Sequence, residues 1–317
     1  MSLRRLPMVA LMFVFSGCTI PHTPSPFLTE EARALNDPSA PIRWRADPKC
    51  LVENFTINGD TRGAIADKCT ALGYVGAHDL VVLAFSGGGT KAAVFGGESL
   101  FYLDALGLLS RTSVISSVSG GSFPAAYYVL SCDPNDKGCD KPIRGGLKRP
   151  QWQYSKVMTT LATGYDSLVK EQVIRILVPF VPINISGARF AEYIDENFFR
   201  TDPGDRFRFK DLNPRRPYLI LNATIVSENR AEIDETSCSK RELHQRYLRR
   251  RTPDEFFHFA FTDFYFKMIN TAYEEYPLSY GIAASAAFPP LIDYLDLEDH
   301  CRKGEALRLL DGGINDN

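Results

Sequence analysis

Two short segments rich in glycine and serine carry the residue types from which an acyl-transfer site is built. Ser119 lies in the run Val118-Ser119-Gly120-Gly121, directly after a β-branched segment. About thirty residues upstream, Gly87-Gly88-Gly89 follows a second apolar segment. A serine on a sharp strand-to-helix turn is presented as a nucleophile, and glycine N–H groups beside it can form an oxyanion hole. Together the two segments predict acyl transfer.

Ser119 is the better candidate for the nucleophile because small residues flank it on both sides. Ser117 lies two positions before it and Gly121 two positions after it, as the crowded backbone of such a turn requires. Ser122 has Pro124 two positions after it and fits less well. The alternative role of Ser122 is that of a helix N-cap.

An aspartate near the end of the chain supplies the third chemical group. Asp311-Gly312-Gly313 follows the apolar run Leu307–Leu310. An Asp-Gly-Gly sequence is often only a turn. After a glycine loop and a serine turn, in this order, it predicts the base that activates the serine. The five histidines lie outside any comparable motif, so the hypothesis is a serine–aspartate pair.

The elements around these motifs predict an α/β fold. Apolar runs and helical spacing predict a strand, a helix, a strand and a helix at Leu80–Phe85, Gly96–Ser110, Thr112–Val118 and Pro124–Leu130. The first strand, a continuous apolar run, is expected to be buried on both faces. The crossover of such a unit is right-handed, so both turns open on one edge of the sheet. Tyr218–Val226 predicts a further central strand.

In this order the motifs resemble the patatin-like phospholipase family. The matching segments are Ser86–Lys91, Ser117–Gly121, Ile282–Pro290 and Asp311–Gly313, and the resemblance extends from about Asp79 to the end of the chain. It implies a three-layer α/β fold with a mainly parallel central sheet, related to α/β-hydrolases. It also implies a Ser-Asp dyad in place of a catalytic triad.

The resemblance also implies individual roles. The expected nucleophile, its base and the glycines of the oxyanion hole are Ser119, Asp311, Gly87, Gly88, Gly89 and Gly120. Lys91, at a position where the family commonly has arginine, is a candidate contact for a phosphate. The expected substrate is a phospholipid or a related acyl ester, cleaved as by a phospholipase A or lysophospholipase. This chemistry needs no cofactor, and no metal-ligand spacing is found in the sequence.

Two other functions are compatible with parts of the sequence. One is a catalytically inactive envelope lipoprotein that keeps the fold and binds lipid. The other is a dinucleotide- or phosphate-binding domain built on Gly87-Gly88-Gly89, which is disfavoured because the second half of that fingerprint is missing. The net charge of −2 argues against a nucleic-acid partner.

The beginning of the chain predicts export. Arg4 and Arg5 precede the apolar run Leu6–Phe15, and Cys18 follows small residues, which is typical of a signal peptide at 1–18 with a bacterial lipobox cysteine. The alternative is an ordinary signal peptide with an incidental cysteine. Thr19 is not the aspartate associated with inner-membrane retention. The expected location is therefore the bacterial cell envelope, lipid-anchored to the outer membrane and facing the periplasm.

The remaining chain divides into a tether, an extension and one globular domain. Residues 19–45 are proline-rich and predict a tether, 46–78 an N-terminal extension and 79–317 the patatin-like domain. A hydrophobic content of 44% is ample for one core. Because Asn317 follows Asp311 so closely, we expect the domain to be truncated at its C-terminus.

Cysteine usage agrees with an exported protein. Of seven cysteines, all except Cys18 are available for disulfides. Pairing of sequence neighbours predicts Cys50–Cys69, Cys132–Cys139 and Cys238–Cys301.

Overall fold

The structure is a computed structural model that describes residues 81–136, 141–163, 185–201, 205–226, 257–289, 291–300 and 306–315. The predicted leader, tether and N-terminal extension lie outside the described residues, as do Cys18, Cys50, Cys69, Cys139, Cys238 and Cys301. Cys132 is described and forms a disulfide. Its pairing with Cys139 stays a prediction.

A central sheet organises the described part of the chain. Its strands are β1 (Val81–Phe85), β2 (Thr112–Val118), β3 (Tyr218–Val226), β4 (Phe257–Phe261), β5 (Leu295–Glu298) and β6 (Ala306–Asp311). The order is β1-β2-β3-β6-β5, and β4 also pairs with β3. Pairing is parallel from β1 through β2 to β3, and antiparallel for β4 and β6 on β3 and for β5 on β6. The expected α/β fold is confirmed, and its parallel part consists of β3 together with β1 and β2, which lead into the two glycine-rich turns.

Helices cover the strands that lead to the site. They are α1 (Gly89–Ala105), α2 (Ser122–Leu130), α3 (Gly187–Tyr193), α4 (Asp263–Met268) and α5 (Leu278–Ser285), and residues 154–163 are also helical. α2 packs on β2 and β3, α5 packs on β3 and β6, and the two helices contact each other. Every residue of α2 and α5 is buried. Among the helices described, none is both long and apolar enough to span a membrane.

The predicted boundaries hold for the buried strands and shift for the helices. β2 and β3 have the predicted bounds. α1 begins at Gly89, earlier than predicted, because its first turn is exposed and therefore carries no apolar spacing. It ends at Ala105, shortly before Gly107, whose φ of 70° is incompatible with a continuing helix.

Two further expectations are corrected by the structure. β1 is not buried on both faces: its side chains alternate between half-buried and exposed, because β1 lies at the edge of the described sheet. α2 begins at Ser122, not at Pro124, so Ser122 is the first helical residue and Gly121 is the N-cap.

Strand pairing explains how residues almost two hundred positions apart meet. β2 pairs with Tyr218–Asn222 and β6 with Ala223–Val226, which are successive parts of β3. Since β4 pairs with Leu221–Ile225 on the other edge, β2 and β6 share one edge of β3. β2 runs parallel to β3 and β6 runs antiparallel to it. Their carboxyl ends therefore converge beside Asn222 and Ala223.

A buried carboxylate links α5 to the π-helical turn Ile194–Phe199 that follows α3. Asp195 Oδ2 accepts a hydrogen bond of 2.9 Å from Ser279 Oγ on α5. It also lies 3.2 Å from the Nε of Arg206. Burial raises the pKa of Asp195 to about 7, although the Ser279 hydrogen bond and the Arg206 charge favour the carboxylate. This carboxyl group thus titrates in the folded protein well above its ordinary value of 3.8.

The pKa of Asp195 predicts a stability that falls as the pH rises. Between pH 3.8 and about 7 the folded state binds more protons at this group than the unfolded state does. As the pH rises across this window, the wild type should lose roughly 2–4 kcal/mol of its free energy of unfolding. Asp195→Asn should not show this loss. Urea unfolding at several pH values measures it.

The matched comparison is Ser279→Ala, which removes the hydrogen bond that favours the carboxylate. It should raise the pKa of Asp195 further, so that the loss of stability continues to higher pH and is larger in total. If the free energy of unfolding of the wild type rose with pH relative to that of Asp195→Asn, the raised pKa of Asp195 would be contradicted.

Candidate active site

The serine turn has the strained backbone expected of a nucleophile elbow. Ser119 has a φ of 52°, in the left-handed region that non-glycine residues rarely adopt. Such a residue costs on the order of 1–2 kcal/mol and persists only where its surroundings hold it. It lies between the end of β2 and the start of α2. The side chain is therefore presented at the carboxyl end of the strand.

Two glycines allow the glycine loop to pack directly against this elbow. A Cβ added at Gly120 would collide with the Gly89 carbonyl oxygen. A Cβ added at Gly121 would lie 2.7 Å from the Ser86 carbonyl oxygen. The structure thus brings the predicted oxyanion loop and the predicted nucleophile together, and only glycine permits this approach.

Ser119 and Asp311 form a direct hydrogen bond. Ser119 Oγ donates to Asp311 Oδ2 at 2.6 Å, and the two residues are 8% and 4% exposed. The second carboxylate oxygen, Oδ1, accepts from the Gly313 N–H at 2.8 Å, so Asp311 caps the 3₁₀ turn Gly312–Ile314. A Cβ at Gly312 would lie 2.5 Å from the Asn222 carbonyl oxygen. The carboxylate is consequently fixed in orientation by its own turn and by β3.

The surroundings of Asp311 adjust its basicity. Burial raises the pKa of this carboxyl group, and the hydrogen bonds from Ser119 and Gly313 oppose the rise. The net direction is upward from 3.8. A carboxylate with a raised pKa is a better proton acceptor than a solvated one.

Two helix N-termini begin beside the pair. α1 starts directly after Gly88, whose φ is 135°, and α2 starts directly after Gly121. The described structure shows no side-chain hydrogen bond capping either start. The first N–H groups of a helix lack partners within the helix and can bind an anion, which the helix dipole favours. At α2, the Ser122 N–H already donates to the Ser119 carbonyl oxygen of the preceding 3₁₀ turn Ser119–Gly121.

The other predicted residues of the loop lie at the surface. Gly88, Gly89 and Lys91 are exposed, Gly87 is half-buried, and Gly120 is buried beside Ser119. Lys91 lies in the first turn of α1 and makes no hydrogen bond or ion pair with any described residue. Gly88, Gly89 and Lys91 therefore face outward, whereas Ser119 and Asp311 are buried.

Sequence reasoning missed the role of Ser285, at the end of α5. Its Oγ accepts the Ser119 N–H at 3.1 Å and donates to the Asn222 carbonyl oxygen at 2.7 Å. It also lies 2.9 Å from Ser122 Oγ. Since the single Ser285 proton goes to Asn222, Ser122 is the donor in that contact. The Ser122 hydroxyl thus points its proton at another hydroxyl and not at a carboxylate.

Asn222 holds the last residues of β2 from the neighbouring strand. Its Nδ2 donates to the Ser117 carbonyl oxygen at 3.0 Å and to Ser116 Oγ at 2.9 Å. Its Oδ1 lies 2.8 Å from His258 Nε2, so this ring nitrogen carries the proton. The signal in the sequence was a lone asparagine inside an otherwise apolar strand. His258 supports the asparagine in the described structure.

The sequence profile described as patatin-like phospholipase matches residues 83–317. No protein with a curated description matches the chain. Among solved structures, the crystal structure of VipD from Legionella pneumophila matches with 14% identity and a TM-score of 0.33. That match covers 75% of this chain and 46% of VipD, so the chain spans less than half the length of this neighbour.

The family match includes the glycine loop, the serine elbow and the terminal aspartate, and it covers most of the chain. By this match the chain belongs to the patatin-like phospholipase family, a family of lipid acyl hydrolases.

Proposed function

We propose that this protein is a serine acyl hydrolase that cleaves an ester bond of a phospholipid or related lipid, with Ser119 as nucleophile and Asp311 as base. The observation that carries the proposal is the buried hydrogen bond of 2.6 Å from Ser119 Oγ to Asp311 Oδ2. A serine hydroxyl is a weak nucleophile until a base accepts its proton. This carboxylate is aligned to accept it, beside two helix N-termini.

The proposed reaction proceeds through an acyl-enzyme. Ser119 Oγ attacks the ester carbonyl carbon as its proton passes to Asp311. The tetrahedral intermediate collapses, the ester C–O bond breaks, and the leaving alcohol takes the proton from Asp311. Water then attacks the acyl-enzyme with Asp311 again as base, and the fatty acid is released while Ser119 regains its proton.

The negative charge of the tetrahedral intermediate needs a separate group of donors. We assign this role to backbone N–H groups of Gly87, Gly88, Gly89 and Gly120. Their support is the close packing of Gly89 on Gly120 and the uncapped starts of α1 and α2. One such donor is worth about 2.7–4 kcal/mol of transition-state stabilisation. Lys91, exposed in the first turn of α1, is the proposed contact for a substrate phosphate.

Hydrolysis of defined esters tests the proposal. The full chain is incubated with short-chain p-nitrophenyl esters, with a diacyl phospholipid labelled in one acyl chain, and with the matching lysophospholipid. Release of free fatty acid from either lipid supports a phospholipase A or lysophospholipase reaction. Hydrolysis of none of the three substrates by the folded protein would overturn the proposal.

Activity is expected to decline at acid pH. Asp311 must be ionised to accept the serine proton, and burial raises its pKa above 3.8. We therefore expect kcat/KM to fall tenfold per pH unit as the pH drops below this raised pKa. A pH–rate profile with a soluble p-nitrophenyl ester gives the value. An acid limb centred at or below 3.8 would contradict the raised pKa.

Ser285→Ala should lower activity without removing a reacting group. The variant loses the acceptor for the Ser119 N–H and the donor to Asn222. We expect kcat to fall about 10–100-fold while KM changes little, because the strained elbow loses its support. Ser131→Ala is the matched control, since Ser131 is equally buried but bonds the Tyr128 carbonyl oxygen at the end of α2. Equal kcat losses in both variants would contradict a positioning role.

Export and lipid anchoring through Cys18 complete the proposal. Their support is the leader sequence alone, because residues 1–80 lie outside the described structure. Metabolic labelling with a fatty-acid analogue in a bacterial host tests it. Label in the wild type that disappears in Cys18→Ala is expected, and label retained in the variant would overturn the anchor.

A further inference from the structure

A cavity of about 580 Å³ lies away from the Ser119–Asp311 pair. It opens between α2, the helical residues 154–163 and the π-helical turn Ile194–Phe199, and neither dyad residue is among its described lining. Its size is within the range of ligand pockets for small molecules, about 300–1,000 Å³. It is therefore a candidate binding site separate from the catalytic one.

The charge of the cavity wall has one sign. Lys148, Arg149, Lys156 and Arg200 line it, and its described lining contains no acidic residue. Lys148, Lys156 and Arg200 are exposed, so the cavity can be reached from solvent. Four cations around one concave surface focus a positive potential into it.

Three of these four cations, Lys148, Lys156 and Arg200, form no ion pair with a carboxylate of the described residues, whereas Arg149 interacts electrostatically with Asp211. Arg149 donates to the backbone carbonyl oxygens of Asp211 and Leu212, at 2.9 and 3.4 Å. Lys156 donates to the Gln151 side-chain amide oxygen at 2.8 Å. Within the same part of the chain, the side chains of Lys148 and Arg200 form neither a hydrogen bond nor an ion pair, although the Arg200 backbone N–H donates to the Asp195 carbonyl oxygen. Their charges are thus available to a ligand.

Many arginines elsewhere in the described protein have a carboxylate partner. Examples are the pairs Arg206–Asp195, Arg208–Glu275 and Arg216–Asp133. Lys148 and Arg200 thus differ from these arginines in having no carboxylate partner among the described residues. Like charges held together repel one another, and a bound anion would reverse that cost.

The aromatic part of the cavity wall indicates what the ligand carries besides its anionic group. Tyr127 and Phe198 are buried and pack edge to face, with ring centroids 5.6 Å apart. They offer an apolar surface next to the cations. A guanidinium presents paired N–H donors that match phosphate oxygens, and a lysine adds a point charge. A compact dianion with a short apolar body is the ligand that uses both features.

We propose that this cavity binds a phosphomonoester group, carried by a small soluble molecule or by an anionic lipid headgroup. The site is distinct from the dyad and does not rest on the proposed hydrolase activity. Lys148 and Arg200 contact the phosphate, Arg149 forms the floor, and the aromatic pair contacts the body of the ligand.

Binding is measured in full-length Ser119→Ala protein, so that no hydrolysis can consume the probe. One arm uses glycerol 3-phosphate in calorimetry. The other uses phosphatidylcholine vesicles with and without phosphatidic acid in a flotation assay. Each is repeated with Lys148→Gln and Arg200→Gln combined. The matched control combines Arg189→Gln and Arg215→Gln, which removes two exposed cations that pair with acidic residues outside the cavity.

The cavity variant should bind roughly 10–100-fold more weakly, whereas the control should stay within about twofold. Binding of glycerol 3-phosphate assigns the site to soluble phosphomonoesters, and binding of phosphatidic acid vesicles alone assigns it to the headgroup. The proposal is overturned if neither probe binds, or if the cavity variant and the control lose binding equally. Thermal unfolding confirms that each variant is folded.

Discussion

Ser119→Ala is expected to abolish ester hydrolysis, with a loss of at least about 10³-fold in kcat, while the protein stays folded. The variant removes the oxygen atom that we propose forms the acyl-enzyme. Asp311→Asn keeps the shape of the side chain but cannot accept the serine proton. It should lose about 10²–10⁴-fold, the usual contribution of a general base. Initial rates with a p-nitrophenyl ester and a labelled phospholipid measure both effects.

Ser122→Ala is the control for this pair of variants. Ser122 lies three residues away and is fully buried, but its hydroxyl bonds Ser285 and not Asp311. We expect it to keep at least about a tenth of the activity, since it loses one supporting hydrogen bond. Activity that survives in Ser119→Ala and disappears in Ser122→Ala would assign the nucleophile to Ser122 instead.

Gly120→Ala should be the most damaging substitution that leaves both dyad residues in place. Its Cβ would collide with the Gly89 carbonyl oxygen, which belongs to the backbone and cannot rotate away. Either the elbow or the glycine loop must move. We expect a stability loss of roughly 1–3 kcal/mol from overpacking. We also expect a loss of about 10²-fold or more in kcat, because a shift of about 1 Å misplaces the oxyanion donors.

Gly107→Ala separates this collision from the general cost of replacing a glycine. Gly107 has a φ of 70°, but a Cβ there meets no atom within 4 Å. It should cost about 1 kcal/mol of stability through backbone strain and leave kcat unchanged. Denaturant unfolding measures the stability loss of both variants, and the ester assay measures their kcat. Full activity in Gly120→Ala would show that the loop need not touch the elbow.

The strands that could be predicted are those that are largely buried. β3 is mostly apolar, and β2 combines β-branched residues with serines, so the bounds of both could be read from the sequence. The start of α1 could not be read from the sequence, since its exposed first turn carries no apolar periodicity. The half-exposed face of β1 depends on its place at the edge of the described sheet, which its own residues do not reveal.

The residue types of the candidate site could be predicted from the sequence, but their arrangement in space could not. Ser119 and Asp311 stand out because each directly follows a strand-like segment and is itself followed by two glycines. That β6 approaches β3 antiparallel, and so delivers Asp311 to the end of β2, is a matter of long-range pairing. Ser285 and Asn222 were hidden for the same reason: their hydrogen bonds to the elbow cross 166 and 105 positions of the chain.

Labelling by an active-site-directed fluorophosphonate, followed by mass spectrometry of the digested protein, tests the dyad most directly. The reagent bonds covalently to a serine only when a base activates it and an oxyanion hole binds the phosphonyl oxygen. We predict one adduct, on Ser119, formed much more slowly in Asp311→Asn. No adduct, an adduct on Ser122, or equal labelling rates in the wild type and Asp311→Asn would contradict a Ser119–Asp311 dyad.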